Sequence, residues 1–322
     1  MKQVVVTQYG GPEVLELREA PLPEPGPGQV RVRVRAAGMN YADIMQREGL
    51  YPNGPKPPYA AGFEVSGVVD ATGANVAGWK TGDAVLAFCA GGYAEYALAE
   101  AAHLLPKPES LSFEQAAAIP CQYLTAYHAL LTLGRLEAGQ TVLLHAAAGG
   151  LGTLMVQIAR NIGAVVIGTC SSEEKCALLR GLGCPHPVNY AVEDFAAVVR
   201  EATGGKGCDL IVETVGGDIL GRSLRCLKSR GMLITLGVAG KTPAMVNTVE
   251  LLANNWTVAG FHLMGYTGDF AAMGRALADL NRWLAEGRLT VVARHTFPLG
   301  QAAEAQRQIS ARATVGKVVL TM

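Results

Sequence analysis

One stretch of the chain decides its fold: Val142-Leu143-Leu144-His145-Ala146-Ala147-Ala148-Gly149-Gly150-Leu151-Gly152. A short apolar strand runs into a turn of small residues, and a helical pattern continues from Thr153 to Ile162. This order lets a pyrophosphate approach the backbone N–H groups at the positive end of the helix. Ala146, Gly149 and Gly152 occupy the three positions of the dinucleotide-binding fingerprint, with Ala where Gly is commoner. The turn therefore predicts a nucleotide cofactor, and a turn that serves packing alone is the alternative.

The residues after the next predicted strand indicate which nucleotide would bind. A site that prefers NAD places an Asp or Glu about twenty residues after the glycines, where it binds the ribose hydroxyls. This chain instead has Gly168-Thr169-Cys170-Ser171-Ser172-Glu173-Glu174-Lys175. Two hydroxyls and a lysine suit a 2′-phosphate, so NADPH is the expected cofactor. The alternative interpretation of Lys175 is a solvated helix residue beside two glutamates.

Apolar strands alternate with helical segments on both sides of this turn. The predicted strands are Thr141–His145, Val165–Thr169, Asp209–Thr214, Met232–Gly237 and Thr257–Phe261. Such an alternation is typical of a doubly wound parallel sheet. The fold class is therefore α/β, and residues 121–265 are expected to form the nucleotide-binding domain. An Ala-rich helix, Phe113–Leu133, is predicted at its beginning.

Residues 1–120 have a different pattern. Val30–Ala37 alternates Arg with apolar residues, which is typical of a half-exposed strand. Further strands are predicted at Val65–Val69 and Ala84–Phe88, between Gly-rich turns. A helix at 269–287, a strand at 291–296, a helix at 299–310 and a strand at 317–322 follow the nucleotide-binding part. We expect the last strand to rejoin the first, β-rich domain, which residues 266–322 would complete.

Composition limits the class of protein. A chain of 322 residues suggests two domains, and 50% hydrophobic residues with 39 Gly suit buried parallel strands and tight turns. Lys plus Arg and Asp plus Glu are both 27, so a nucleic acid or membrane partner is not expected. The seven cysteines contain no C-x-x-C pair, and the first apolar run is too short for a signal peptide. Free thiols in the cytoplasm are the expectation.

Several short motifs follow one another in a characteristic order. They are Ala37-Gly38-Met39-Asn40-Tyr41-Ala42-Asp43, Arg47-Glu48-Gly49-Leu50-Tyr51, Gly62-Phe63-Glu64-Val65-Ser66-Gly67, Gly91-Gly92-Tyr93-Ala94-Glu95-Tyr96, Leu124-Thr125-Ala126, the small-residue turn, Ser171-Ser172-Glu173-Glu174-Lys175 and Val315-Gly316-Lys317-Val318. In this order they resemble the quinone oxidoreductase (ζ-crystallin-like) branch of the medium-chain dehydrogenase/reductase family, almost from end to end. The resemblance implies a GroES-like catalytic domain made from both chain ends and a central Rossmann domain, with the active site in the cleft between them. Many members of the branch are homodimers, so a homodimer is expected.

The resemblance also implies a set of cofactor-binding residues. Those around the 2′-phosphate of NADPH would be Ser171, Ser172, Lys175 and Tyr190. Those along the rest of the cofactor would be Asn40, Thr125, Ala146, Gly149, Gly150, Leu151, Gly152, Gly237, Phe261, His262 and Leu263, with Lys317 nearby.

The chain departs from the zinc alcohol dehydrogenase branch of that family at the metal sites. Where that branch has a Cys and a His as zinc ligands, this chain has Asn40 and Phe63. Phenylalanine cannot ligate zinc, and the four-cysteine structural lobe is missing, so no metal is expected. Without a Lewis acid the chemistry should favour acceptors that already spread negative charge, such as quinones or enones.

Such an acceptor needs a hydrogen-bond donor for the developing oxyanion. The candidate catalytic residues are Asn40 and Tyr51, and the alternative for Tyr51 is a loop tyrosine that packs the edge of the cleft. Asp43 could tune the site or cap a helix that begins near Ala42. Glu64 is expected to form a salt bridge or backbone hydrogen bonds, and His145 to be a satisfied core histidine.

The predicted function is thus NADPH-dependent reduction of a quinone by a zinc-free enzyme. Two alternatives remain at this point. One is an enoyl-thioester or alkenal double-bond reductase, which would use the same cofactor site. The other is a non-catalytic NADPH-binding or RNA-binding protein.

Overall fold

The chain forms two compact units in a computed structural model that describes all residues from 1 to 322. Unit 1 comprises Met1–Cys121 and Val291–Met322, and unit 2 comprises Gln122–Thr290. The first boundary falls one residue from the predicted position, whereas the second follows Thr290 rather than residue 265.

Residues 266–290 stay with unit 2 because they are hydrogen-bonded into it. The Tyr123 hydroxyl donates to the carbonyl oxygen of Ala276, at 2.8 Å. The Gln157 amide donates to the carbonyl oxygen of Thr290 at 2.9 Å and accepts from the Thr290 N–H at 2.8 Å.

The strands and helices are numbered here in chain order. The strands are β1 (Lys2–Val6), β2 (Leu15–Glu19), β3 (Gln29–Met39), β4 (Tyr59–Ala60), β5 (Glu64–Thr72), β6 (Ala84–Phe88), β7 (Tyr96–Glu100), β8 (Leu105–Pro106), β9 (Thr141–Leu144), β10 (Val165–Cys170), β11 (His186–Asn189), β12 (Cys208–Glu213), β13 (Leu227–Thr235), β14 (Thr257–Gly260), β15 (His295–Pro298) and β16 (Val318–Thr321). The helices are α1 (Tyr41–Arg47), α2 (Phe113–Ala116), α3 (Leu124–Tyr127), α4 (Gly150–Asn161), α5 (Glu173–Gly181), α6 (Phe195–Ala202), α7 (Gly217–Leu224), α8 (Thr248–Asn254), α9 (Phe270–Ala285) and α10 (Ala302–Ser310). No helix is both long enough and apolar enough to span a membrane.

Unit 2 is built on a six-stranded parallel sheet in the order β11-β10-β9-β12-β13-β14. Its central strands are apolar and buried, as a sheet covered on both faces requires. The strand order reverses between β9 and β12, and ligands of such sheets bind at the carboxyl ends of the strands at this switch point. The predicted doubly wound sheet is confirmed.

Unit 1 contains a seven-stranded sheet along the path β15-β16-β3-β5-β6-β8, with β7 also paired to β3, and a small sheet β2-β1-β4. Strand β16 runs antiparallel to β3, with Val318 opposite Met39. Val30, Val32 and Val34 of β3 are buried, and the arginines between them lie on the other face. The late strand therefore rejoins the β-rich part of the chain, as the sequence predicted.

The predicted helix Phe113–Leu133 is interrupted in the structure. Helices α2 and α3 are short, and π-helical segments occupy Ile119–Tyr123 and His128–Leu133. Pro120 has no N–H to donate to an earlier carbonyl, so a regular α-helix cannot continue through it. The strand predicted at 291–296 is also shorter in the structure and lies later in the chain, where β15 spans His295–Pro298.

Candidate active site

The turn between β9 and α4 is shaped to receive an anion. Ala146 adopts a left-handed conformation with φ of 50°, and Gly149 is the N-cap of α4 without a capping side chain. The first N–H groups of any helix lack acceptors within the helix, and they carry its positive partial charge. The N–H groups of Gly150, Leu151 and Gly152 at this helix start can therefore bind a phosphate oxygen.

Glycine is needed at positions 149 and 152 of this turn for different structural reasons. A Cβ atom on Gly152 would lie 2.4 Å from the Cα of Ala147 and 2.5 Å from the oxygen of Ala146, so only glycine allows this close approach. A Cβ atom on Gly149 would meet nothing nearer than the Ala146 oxygen at 3.4 Å. Gly152 is thus needed for packing, whereas Gly149 leaves space in front of the helix.

Four predicted residues come together beyond β10 and β11. These strands are parallel, with Cys170 opposite Asn189, so Ser171 and Tyr190 follow at the same edge of the sheet. The Lys175 ammonium donates a hydrogen bond of 3.1 Å to the Ser171 hydroxyl. The Ser172 hydroxyl caps α5 by accepting from the Lys175 N–H at 3.3 Å.

Charges around Lys175 bear on its alternative interpretation as a solvated residue. Its neighbour Glu173 forms an ion pair of 2.5 Å with Arg180 on the same helix. Lys175 itself is only partly exposed and points its ammonium at Ser171. Its side chain thus lies with the hydroxyls of this cluster.

The carboxyl ends of β12, β13 and β14 complete this edge of unit 2. A Cβ atom on Gly237 would lie 3.2 Å from the carbonyl oxygen of Thr214, so the segment after β13 passes close to the end of β12. Phe261 donates its N–H to Thr235 and is buried, as is Leu263, whereas His262 is exposed. Gly237 and the segment Phe261–Leu263 therefore lie at the same end of the sheet as the glycine turn.

Thr214 is a candidate that the sequence analysis missed. Its hydroxyl oxygen is buried and has no hydrogen-bond partner. A buried polar atom without a partner at a ligand-binding edge is unusual and calls for an explanation, such as a bound ligand. The feature of the sequence that could have indicated Thr214 is a hydroxyl residue immediately after a buried strand.

Thr125 lies in α3, between the two π-helical segments, and is partly exposed. Such segments are frequent at functional sites. The motif Leu124-Thr125-Ala126 is visible in the sequence, but nothing there predicted this irregular helix.

His145 is a satisfied core histidine, as predicted. Its Nδ1 lies 3.1 Å from the Thr169 hydroxyl and its Nε2 2.8 Å from the Ser223 hydroxyl. Burial, together with the charge of Arg222, lowers the pKa of this imidazole to about 4. The ring is neutral at physiological pH and serves the fold.

Unit 1 contains a buried polar cluster of Asn40, Glu64 and Lys317, called here the amide–ion cluster. The Asn40 amide Nδ2 donates to Glu64 Oε1 at 2.6 Å, and the Lys317 Nζ donates to Asn40 Oδ1 at 2.9 Å and to Glu64 Oε1 at 2.5 Å. The side chains of Glu64 and Lys317 are 0% and 1% exposed. Glu64 Oε2 accepts from the Cys121 N–H at 2.8 Å. Glu64 therefore makes both the salt bridge and the backbone hydrogen bond expected of it.

Asp43 and Tyr51 lie in the same unit. Asp43 Oδ2 accepts from the Asn40 N–H at 2.7 Å at the start of α1, so it has the capping role considered for it. Tyr51 is half-buried, and burial raises the pKa of its phenol, with smaller effects from Cys121 and Asp43. The phenol therefore keeps its proton at neutral pH and can act as a donor.

The residues at the place of the family's catalytic zinc do not fit that metal. Asn40 and Glu64 are both bonded to the Lys317 ammonium, and Phe63 has no donor atom. A dication beside a buried ammonium would be strongly repelled. Elsewhere, no group of three or more His, Cys, Asp or Glu side chains could hold a metal ion.

The parallel sheet with its glycine turn and the β-rich unit with its polar cluster define a two-domain dehydrogenase or reductase. Family models match the chain as an alcohol dehydrogenase GroES-like domain over residues 26–109 and as a zinc-binding dehydrogenase over residues 150–279. The chain is 38% identical to quinone oxidoreductase of Pseudomonas aeruginosa, over 99% of each chain. It is 37% identical to 2-haloacrylate reductase of a Burkholderia species, over 98% of this chain and 97% of that one.

Solved structures agree with these relatives. Escherichia coli quinone oxidoreductase complexed with NADPH superimposes with a TM-score of 0.95 at 31% identity, over 100% of both chains. This chain therefore belongs to the quinone oxidoreductase branch of the medium-chain dehydrogenase/reductase family. The GroES-like and Rossmann architecture implied by the sequence resemblance is confirmed.

Proposed function

We propose that this protein is an NADPH-dependent oxidoreductase that passes a hydride to a quinone or a similar conjugated carbonyl compound. The observation that carries this proposal is the cluster of Ser171, Ser172, Lys175 and Tyr190 beside the glycine turn. A hydroxyl and an ammonium 3.1 Å apart can bind a 2′-phosphate together, and no acid replaces them there. The NADPH named with the E. coli quinone oxidoreductase structure supports the same choice.

The residues of unit 2 fit the rest of such a nucleotide. The uncapped start of α4 would hold the pyrophosphate, because Gly149 leaves its N–H groups accessible. The Thr214 hydroxyl would receive the partner that it lacks. NADPH supplies the hydride when it is bound.

The acceptor would be held by residues of unit 1. As hydride arrives, negative charge develops on the carbonyl oxygen of a quinone or enone, and donors aimed at that oxygen stabilise it. The Tyr51 phenol and the Asn40 amide are the donors that we assign to this role. Neither role needs a metal.

Reduction of a conjugated carbon–carbon double bond is the second candidate, and the name of one relative favours it. Such a reaction requires a proton at carbon after the hydride has been added, and the Tyr51 phenol, which is protonated at neutral pH, is a group that can donate it. The relative named 2-haloacrylate reductase supports this class of acceptor. Tyr51→Phe should then lower turnover of both acceptors, because the donor to the developing oxyanion is lost, and should lower enone turnover more, because the proton donor is lost as well.

The test is loss of absorbance at the reduced-nicotinamide band with the purified full chain and a chelator present throughout. NADPH and NADH would be compared with an ortho-quinone, an alkenal and a crotonyl thioester as acceptors. Chelator-resistant, NADPH-selective quinone turnover supports the proposal, and turnover with enones alone moves the assignment to the double-bond reductases. Tight NADPH binding without turnover would favour a non-catalytic role, which an RNA-retention assay at physiological salt would then examine.

We further propose a cytoplasmic homodimer in which the β14 edges of two sheets meet. The seven cysteines are all free, which suits a reducing compartment. Strand β14 is the edge of the parallel sheet, and an open edge is a template for pairing with a second copy. Close by in sequence, Met245, Val249 and Leu252 are 94%, 71% and 81% exposed, which supports a covering partner.

A further inference from the structure

The amide of Asn40 poses an orientation problem. Its oxygen and its NH2 group have nearly the same size, so the shape of a cavity cannot decide which way the amide faces. Only the hydrogen-bonding partners of the amide can decide its orientation. For a residue that must donate to an acceptor oxygen, this choice decides whether the site works.

The amide–ion cluster makes that choice by charge, in the same sense as the capping box of α1, in which the Asn40 side chain accepts from the Asp43 N–H. An ammonium can only donate and an ionised carboxylate can only accept. In the observed arrangement the Lys317 ammonium faces the amide oxygen at 2.9 Å, and the Glu64 carboxylate faces the amide nitrogen at 2.6 Å. A flipped amide would set donor against donor and acceptor against acceptor in a buried site, where mismatched polar groups are most costly.

The fold places the lysine beside Asn40 and Glu64. Val318 pairs with Met39, so the preceding residue, Lys317, is brought opposite Asn40. Gly38 faces the lysine stem, since a Cβ atom there would come within 2.7 Å of the Lys317 Cε and 2.6 Å of Glu64 Oε1. The lysine stem is therefore packed against bare backbone, and its tip is confined to the cluster.

From this geometry we propose that Lys317 is a positioning residue, which together with Glu64 fixes the orientation of the Asn40 amide for hydrogen bonding to the acceptor. The inference rests on the proposed function, because it gives Asn40 a partner in the substrate. It assigns Lys317 to the acceptor side of the reaction and makes its contribution separable from cofactor binding. The same ammonium balances the charge of the buried Glu64 carboxylate.

The first test is Lys317→Met, which removes the ammonium and keeps a stem of similar length. Lys80→Met, the same change at an exposed position of unit 1, is the matched control. We expect kcat with the quinone to fall about 10- to 100-fold, the range for a misplaced catalytic group, with the Kd for NADPH within about 2-fold of wild type. A Kd for NADPH that rises 10-fold or more with unchanged kcat would make Lys317 a cofactor ligand and overturn the proposal.

Loss of one partner from a buried ion pair can prevent folding, so a second variant is needed. Glu64→Gln combined with Lys317→Met removes both charges and avoids an unpaired carboxylate. We expect this double variant to unfold cooperatively in urea and still to show the reduced kcat, because neither neutral side chain dictates the amide orientation as the charges do. Recovery of wild-type kcat in the double variant would show that the pair only balances charge, and the proposal would be abandoned.

A readout without turnover separates this inference from the proposed function. The Nδ2 protons of Asn40 can be followed by NMR with Asn40→Asp used for assignment. We expect their resonances to shift and broaden in Lys317→Met and to stay in place in Lys80→Met. If the wild-type protein reduces no quinone or enone, the proposed function fails, and the NMR result alone decides: shifted resonances support the positioning role and unchanged ones refute it.

Discussion

The phenol of Tyr93 donates a hydrogen bond of 2.8 Å to Oδ2 of Asp43, whose other carboxylate oxygen, Oδ1, is buried without a partner. Burial raises the pKa of Asp43 to about 7, although the hydrogen bonds from Asn40 and Tyr93 and the charge of Lys317 act in the opposite direction. One carboxyl group at the start of α1 therefore titrates near neutral pH. Its effect on stability can be measured directly.

Asp43→Asn should remove a pH dependence of folding. Between about pH 4 and pH 7 the unfolded chain has lost this proton while the folded chain retains it, so the free energy of unfolding falls as pH rises. The full effect is on the order of 4 kcal/mol for this shift. Urea titrations at pH 5 and pH 7.5 should show a smaller loss of stability in Asp43→Asn than in wild type. Equal losses in both proteins would contradict the raised pKa.

His145 should act with the opposite sign. Its folded pKa of about 4 lies below the ordinary value of 6.5, so the unfolded chain takes up the proton first as pH falls. This group therefore removes stability, on the order of 3 kcal/mol in full, as pH falls from about 6.5 to 4. His145→Gln should reduce the acid sensitivity seen in urea titrations at pH 7.5 and pH 4.5. A variant that remains as acid-sensitive as wild type would exclude this histidine as the cause.

Replacement by alanine should have different effects at two glycines of the turn between β9 and α4. Gly152→Ala places a Cβ atom 2.4 Å from the Ala147 Cα, which should cost about 1–3 kcal/mol of stability as overpacking. Gly149→Ala has room, with its nearest atom at 3.4 Å, and should fold like wild type. It should nevertheless weaken NADPH binding about 10-fold or more, because a methyl group stands where the phosphate approaches.

Thermal unfolding and titration of nicotinamide fluorescence would separate these two effects. A stable Gly149→Ala with unchanged affinity would show that the pyrophosphate binds elsewhere.

Lys175→Ala should remove most of the preference for NADPH over NADH. A charge-assisted hydrogen bond is worth about 1.5–3 kcal/mol, so the Kd for NADPH should rise about 10- to 100-fold while that for NADH changes about 2-fold at most. Lys206→Ala, an exposed change before the amino end of β12, is the matched control. Parallel losses for both nucleotides would mean that Lys175 supports the fold of this edge rather than the 2′-phosphate.

The β14 edge gives a prediction about assembly. Leu252→Arg, at a side chain 81% exposed on α8, should shift the protein from dimer to monomer in sedimentation velocity. Val192→Arg is the control, since that side chain is 80% exposed after β11, at the other edge of the sheet. If both variants sediment like wild type as dimers, a different surface forms the dimer.

The sequence was informative wherever structure depends on neighbours in the chain. Strand β10 was predicted at Val165–Thr169 and found at Val165–Cys170, because a strand buried on both faces is a continuous apolar run. The glycine turn between β9 and α4 was predicted for the same reason, since strand, small residues and helix are contiguous.

Features that depend on distant pairing were not predictable in the same way. The amide–ion cluster joins three separate segments, and Lys317 reaches Asn40 only through the register of β16 on β3. The resemblance placed Lys317 near the cofactor, but no local pattern could reveal its bonds to Asn40 and Glu64. The apolar pattern of α9 predicted a helix, yet nothing in that pattern stated which unit would hold it.

The sheet of unit 1 joins strands from both ends of the chain, so it can be completed only late during synthesis on the ribosome. Strand β16 lies between β15 and β3, and Lys317 follows Glu64 by 253 positions in the chain. At about 5–20 residues per second, synthesis of the chain between them takes tens of seconds. During this time the part of β3 that pairs with β16 is uncovered, and the Glu64 carboxylate lacks its ammonium partner. Unit 2 is one continuous stretch and can fold within that interval. The nascent protein thus passes through a state with a finished nucleotide domain and an exposed strand edge, which is the state most open to aggregation or to chaperone capture.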